Sequence, residues 1–187
     1  MNAHVIGDSW ASAREADTGL DAGWPAMMGI QPELRQGISG STAAEWHGDK
    51  DGRLTRAIQT QADVVIVSLL GNDARAAMAD GQVTAEEIAA ALLHMRTAVS
   101  AVQRKLTIVL LYADPFCGQN PQARIAVPIL NGAIRAACFG MSVVFADTGS
   151  WLTSEHFDGR DIHPTQAGHA VIAERMAELI KQHGRLI

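Results

Sequence analysis

The sequence predicts an α/β fold: a three-layer α/β/α sandwich built on a mostly parallel sheet of about five strands. Two observations carry that expectation. Short apolar runs rich in β-branched residues recur along the chain, and amphipathic helical patterns fill the intervals between them. Strands that alternate with helices form βαβ units, whose right-handed crossovers lay helices over both faces of a parallel sheet. The length of 187 residues and the 48% hydrophobic content suit a single domain over residues 1–187, large enough to bury a core.

The strand candidates are AHVIG at 3–7, LRQGIS at 34–39, DVVIVSLL at 63–70, LTIVLLYA at 106–113 and SVVFA at 142–146. Apolar on successive positions, most of them read as strands buried on both faces. The helical pattern is clearest from TAEE at 84–87, where Thr84 and Glu87 can satisfy each other's backbone amides in a capping box. Ile88, Leu92, Met95, Val99 and Val102 then come at spacings of four and three, one stripe of a 3.6-residue helix. Ile172, Met176, Leu179 and Ile180 make a similar face near the end of the chain. PQARIAVPILNGAIRAACFG supplies another helix, which the sequence predicts to break or restart near Pro128, a residue without an amide hydrogen.

The net charge is −5, without a Lys/Arg cluster or basic stripe, so neither nucleic acid nor an anionic membrane is an expected partner. Cys117 and Cys138 read as reduced packing residues, not a disulfide framework. The opening MNAHVIGDSW lacks the pattern of a signal peptide, and no stretch is apolar for long enough to span a bilayer, so the expectation is a soluble cytoplasmic protein. Metal-type Cys/His spacing, a G-x-G-x-x-G and a P-loop are all missing, and no cofactor or metal is expected. HGDKDG at 47–52 lacks the full twelve-residue calcium-loop pattern and reads as a polar turn.

In parallel sheets, ligands sit beyond the carboxyl ends of the strands, so the residues just after each run matter most. GDSW places Ser9 beyond the first strand, where Asp8 or Ser9 could equally cap a short helix. SGSTAAEW at 39–46 brings the Gly40 amide to the same rim, and LLGND at 69–73 brings the Asn72 side chain, a neutral donor suited to an oxyanion. Each could be an ordinary turn. DIHP puts His163 on the loop ahead of the last helix, with Pro164 suited to its first turn. His4, His47, His94, His156, His169 and His183 have no comparable context and read as structural or solvated. A Ser, a Gly amide, an Asn amide and a His in this order are together what acyl transfer needs: nucleophile, oxyanion donors and general base.

The blocks GDSW, SGST, GND and DIHP, in that order and over essentially the whole chain, closely resemble the SGNH, or GDSL-type, hydrolases, a family of esterases and lipases. GWPAMMG at 23–29 and Asn131 are softer similarities. The G-x-S-x-G of α/β-hydrolases is absent. The resemblance implies a flavodoxin-like α/β/α sandwich and a serine esterase acting on small or carbohydrate-linked acyl esters. It implies Ser9 as nucleophile, His163 as base, and the Ser9 amide, Gly40 amide and Asn72 side chain as oxyanion donors. Asp8 and Asp73 are expected to tie down loops by accepting backbone amides, and Trp10 either lines the acyl pocket or packs.

Family members commonly carry the third carboxylate three residues before the histidine, and here that position is Arg160, which has no acceptor. Asp161 is the expected partner of His163, with Asp158 or a backbone carbonyl as alternatives. Transfer of the acyl group to an alcohol needs the same residues, and a non-catalytic ligand-binding module is the reading from another class. Trp24, Trp46, Trp151, Phe116 and Phe157 are candidates for a sugar platform or an acyl slot. Oligomeric state has no signature in the sequence.

Overall fold

The structure, a computed structural model, describes residues 2–12, 23–74, 84–115, 119–159 and 162–184. Five strands form one sheet: β1 (Ala3–Gly7), β2 (Arg35–Gly37), β3 (Val64–Ser68), β4 (Leu106–Leu111) and β5 (Val144–Asp147). Their order is β2-β1-β3-β4-β5, and every neighbouring pair is parallel. The register aligns Val5 with Ile66, Ile66 with Ile108 and Val109 with Phe145. Every residue of β1, β3 and β4 is buried, as their unbroken apolar runs require, whereas β2 and β5 at the two edges are only partly covered. Fully burying a side chain such as Ile66 or Ile108 contributes about 1.5–3 kcal/mol, so this central triple is the main anchor of the fold.

Helices flank the sheet: α1 (Trp24–Met27), α2 (Ala43–His47), α3 (Arg53–Gln59), α4 (Ala85–Val102), α5 (Pro121–Ala137) and α6 (Gln166–His183). Contacts join α1 to α6, and they join α4 to α2, α3 and α5. Those two groups are the outer layers of the expected α/β/α sandwich. No helix among the described residues is long and apolar enough to cross a membrane.

Several element boundaries differ from expectation. The second strand is limited to Arg35–Gly37, since it lies at the sheet edge, comes directly after a 3₁₀ turn at Pro32–Leu34 and leaves the ladder after Gly37. The fifth begins at Val144 instead of 142, because the chain is still leaving a tight turn in which the Val143 amide donates to the Met141 carbonyl. Thr84 and Glu87 do form the reciprocal cap of α4. Its stripe is buried only from Met95 onward, however, and Ile88 is 49% exposed because the first turns of α4 extend past the edge of the core. α5 runs unbroken through Pro128. That ring is on the solvent side, where water can take the carbonyl that loses its helical donor. Cys138 is a free thiol, pushed up to about 11 by burial, and Cys117 is outside the described residues.

Gly7 ends β1 at φ +141, and a Cβ there would fall 1.9 Å from the Ser68 carbonyl oxygen. Only glycine lets β1 pass that close to β3 while the Asp8 amide donates to the same carbonyl at 2.8 Å. This crowded exit fixes where the next residue but one, Ser9, emerges.

Candidate active site

Ser9 opens a 3₁₀ turn, Ser9–Ala11, directly beyond β1. His163 lies on the loop before α6, and its Nε2 is 2.7 Å from Ser9 Oγ. The histidine is held by the residues on its C-terminal side. Thr165, not Pro164, caps α6, its hydroxyl accepting the Gly168 amide, so the buried Pro164 sits ahead of the cap and not in the first turn. The Thr165 amide also donates to the His156 carbonyl at 2.9 Å, which ties this loop to the preceding 3₁₀ turn.

The Gly40 turn and the helical segment at 71–74 that carries Asn72 are stitched to each other and to the end of β1. Ser41 Oγ donates to the Gly7 carbonyl at 2.9 Å, Asn72 Nδ2 donates to the Ser41 carbonyl at 3.0 Å, and the Ala43 amide donates to Asp73 Oδ2 at 3.0 Å. Asp73 therefore accepts a backbone amide, as expected, and burial raises its pKa. One N–H of the Asn72 amide is used in this lacing and the other has no acceptor among the described residues. The same holds for the Ser9 and Gly40 backbone amides. Leu70, immediately before this helical segment, has φ +85, a region that non-glycine residues seldom occupy. Such strain persists where the surroundings force it.

Beneath Ser9 is a buried polar cluster that the sequence did not point to. Asp8, 1% exposed, accepts the Trp10 amide at 3.0 Å on Oδ1, and so caps the Ser9 turn as the simpler reading of GDSW held. The same oxygen accepts the Ser68 hydroxyl at 3.0 Å, and Oδ2 is hydrogen-bonded to the Tyr112 hydroxyl. Burial pushes the Asp8 carboxyl up to about 6, against the lowering effects of its hydrogen bonds and of His163. Burial, and then the Asp8 charge, hold the Tyr112 hydroxyl well above its usual range. Tyr112 is fixed in turn by Asn131, whose side chain accepts the Tyr112 amide and donates to the Tyr112 carbonyl, both at 2.9 Å. Tyr112 is the only tyrosine in the chain and ends an apolar strand, and that was the one signal available for it.

The remaining candidates divide clearly. Asp161 and Arg160 are outside the described residues, as is Phe116, while Asp158 is exposed on the loop leading to them. A model of the GDSL-like lipase/acylhydrolase family matches residues 5–171. The chain belongs to that family. It is accordingly a carboxylic ester hydrolase of the GDSL type. No curated protein matches the sequence. Among solved structures, an acetylxylan esterase from Geobacillus stearothermophilus, Axe2, superposes with a TM-score of 0.72 at 18% identity, over 98% of this chain and 94% of that one. The native M. Smegmatis aryl esterase superposes with a TM-score of 0.65 at 18% identity, over 97% and 98% of the two chains. Both likenesses are of fold.

In this GDSL-type hydrolase Trp10 packs: it is 4% exposed, meets Tyr112 edge-on at 5.3 Å and lies 6.3 Å from Phe157. Trp24, whose Nε1 donates to the Trp10 carbonyl, and Trp46, whose Nε1 donates to Ser41 Oγ, are fully buried, so neither can form a sugar platform. Phe157 is buried as well, and Trp151 is half-buried against the core. Among the other histidines, His4 is buried in β1, His47 stacks on His94 at 4.6 Å, and the His169 ring faces the Trp24 amide. Asp49 caps the turn into α3 by accepting the Thr55 amide and hydroxyl. No cluster among the described residues has three or more metal-ligating side chains.

Proposed function

We propose that the ester hydrolysis runs through a covalent acyl-enzyme on Ser9. The observation that carries this reading is the 2.7 Å contact between His163 Nε2 and Ser9 Oγ, within reach for direct proton transfer. His163 takes the hydroxyl proton on Nε2 as Oγ attacks the ester carbonyl, then returns it to the leaving alcohol; water repeats the cycle to release the acid. That role needs Nε2 unprotonated and the ring proton on Nδ1. The Ser9 amide, the Gly40 amide and the second N–H of Asn72 would hold the tetrahedral oxyanion, a reading supported by their lack of other acceptors among the described residues.

The carboxylate that orients Nδ1 is proposed to be Asp161, on the strength of its place two residues before His163. Asp158 is the alternative. If Asp161→Asn loses turnover while Asp158→Asn keeps it, the assignment stands; the opposite pattern overturns it.

Small acyl groups on alcohols or carbohydrates are the proposed substrates. The superposition with proteins described as an acetylxylan esterase and an aryl esterase supports that choice. A panel of aryl esters of increasing chain length and acetylated xylooligosaccharides, with Ser9→Ala as control, tests it. The expected result is greatest kcat/KM on the short acyl esters and none in the control; preference for long chains, or undiminished hydrolysis by Ser9→Ala, contradicts it.

A further inference from the structure

Three oxygens close a ring under the nucleophile: Asp8 Oδ1 to Ser68 Oγ at 3.0 Å, Ser68 Oγ to Tyr112 Oη at 3.1 Å, and Tyr112 Oη to Asp8 Oδ2. Proton counting distinguishes two states of this ring. With Asp8 ionised, two hydroxyl protons serve three contacts, and one pair of oxygens faces each other with no hydrogen between. With Asp8 neutral, three protons serve three contacts, and each group donates once around the circle: Asp8 to Tyr112, Tyr112 to Ser68, Ser68 to Asp8. Only the neutral acid places a hydrogen in all three of these buried contacts. Burial raises the Asp8 carboxyl to about 6, which makes the neutral form accessible at mildly acid pH.

The ring touches both the Ser9 turn and the segment that carries Asn72. Asp8 Oδ1 also accepts the Trp10 amide of the nucleophile turn. A Cβ on Gly71, next to Asn72, would fall 2.8 Å from Asp8 Oδ2 and 3.1 Å from the Tyr112 hydroxyl, so the start of the helical segment that carries Asn72 rests on the ring. Asn131 fixes the backbone of Tyr112 from α5. The titratable groups facing Asp8 are Tyr112 from the end of β4 and His163 from the loop before α6; β3 and the Ser9 turn offer only the Ser68 hydroxyl and the Trp10 amide.

We propose that Asp8 is a positioning residue that acts as a neutral carboxylic acid, closing the Asp8–Tyr112–Ser68 ring that holds the Ser9 turn and the Gly71–Asn72 helical turn together. Loss of its proton is then an ionisation of its own in the pH dependence of turnover. The proposal rests on Ser9 and His163 being the reacting pair.

Asparagine imitates the neutral acid, since its Nδ2 can donate to Tyr112 while its Oδ1 still accepts from Ser68 and Trp10. The test compares kcat/KM for p-nitrophenyl acetate from pH 5 to 8.5 in the wild type, Asp8→Asn, Asp8→Ala and Ser9→Ala, with infrared difference spectra of the carboxylic-acid C=O band. Expected are a loss in Asp8→Ala on the order of 10²-fold, most of it recovered in Asp8→Asn, and one ionisation fewer in the Asp8→Asn profile. A protonated-carboxyl band should be present in the wild type at pH 5 and absent in Asp8→Asn. An Asp8→Asn profile identical to the wild type, or no band at pH 5, overturns the proposal. Undiminished hydrolysis by Ser9→Ala would instead overturn the reading of the site, while the infrared band still reports on Asp8 alone.

Discussion

His163 Nε2 sits 2.7 Å from Ser9 Oγ although the two residues are 154 positions apart. Their meeting depends on two exits from the fold. Gly7 lets β1 crowd against β3 so that Ser9 emerges at the carboxyl edge, and Thr165 stops the incoming loop at the start of α6. The hydroxyl and the imidazole thus converge on one rim without being neighbours in any single element.

If that pair performs the chemistry, Ser9→Ala and His163→Ala should each lower kcat by on the order of 10⁴-fold or more, because members of such a unit fail together. Circular dichroism and thermal unfolding should change little, since both side chains lie at the rim and not in the core.

Asn72 should separate rate from stability. Its amide donates to the Ser41 carbonyl at 3.0 Å, a neutral bond worth about 1 kcal/mol. Its proposed contact to the oxyanion is worth about 3 kcal/mol of barrier. Asn72→Ala is therefore expected to lose about 10²–10³-fold in kcat with KM little changed and only a small drop in Tm. Initial-rate kinetics paired with a thermal melt checks both halves.

Asp8 makes stability depend on pH with a definite sign. Its carboxyl is raised to about 6 by burial, so ionising it costs more in the folded chain than in the unfolded one. Its contribution is intact below the ordinary aspartate range and is lost as pH rises through about 6. Asp8→Asn removes that loss. Urea unfolding should find the variant close to the wild type at pH 4.5 and more stable than it, by on the order of 2–3 kcal/mol, at pH 7.5. An equal difference at both pH values would contradict the burial argument.

Gly71 is predicted to tolerate no side chain. The added methyl of Gly71→Ala would lie 2.8 Å from Asp8 Oδ2 and 3.1 Å from the Tyr112 ring, which should cost about 1–3 kcal/mol by overpacking. Because the displaced helical turn carries Asn72, kcat should fall alongside Tm, and a variant with full activity would contradict this placement.

Asn131 holds Tyr112 through one accepted and one donated bond. Asn131→Asp keeps the acceptor for the Tyr112 amide but turns a second oxygen on the Tyr112 carbonyl. It should destabilise by about 1–3 kcal/mol at pH 7 and recover in part when the new carboxyl is protonated at low pH, a difference that denaturant midpoints at the two pH values would register.

The layout of the site was legible because a parallel sheet exposes the residues after its strands. The positions just beyond each apolar run therefore singled out Ser9, Gly40 and Asn72 as candidates, and the loop before the last helix gave His163, whose Nε2 the fold brings to Ser9 Oγ. The ring beneath them was not legible. Asp8 is adjacent to Ser9 and looked like a cap, which it also is; its partners Ser68 and Tyr112 come from strand ends 60 and 104 residues away, and local pattern contains no term for that distance. Ile88 satisfied the helical period yet is exposed, because periodicity specifies a face but not how far the core extends beneath it. Pro128 looked like a break because sequence alone does not say which side of a helix meets water.

The most direct test of Ser9 as the nucleophile is covalent labelling by a fluorophosphonate, located by peptide mass spectrometry. A single adduct is expected on the peptide containing Ser9, absent in Ser9→Ala and greatly slowed in His163→Ala. An adduct on another serine, or none on a wild-type enzyme that still hydrolyses esters, would contradict the assignment.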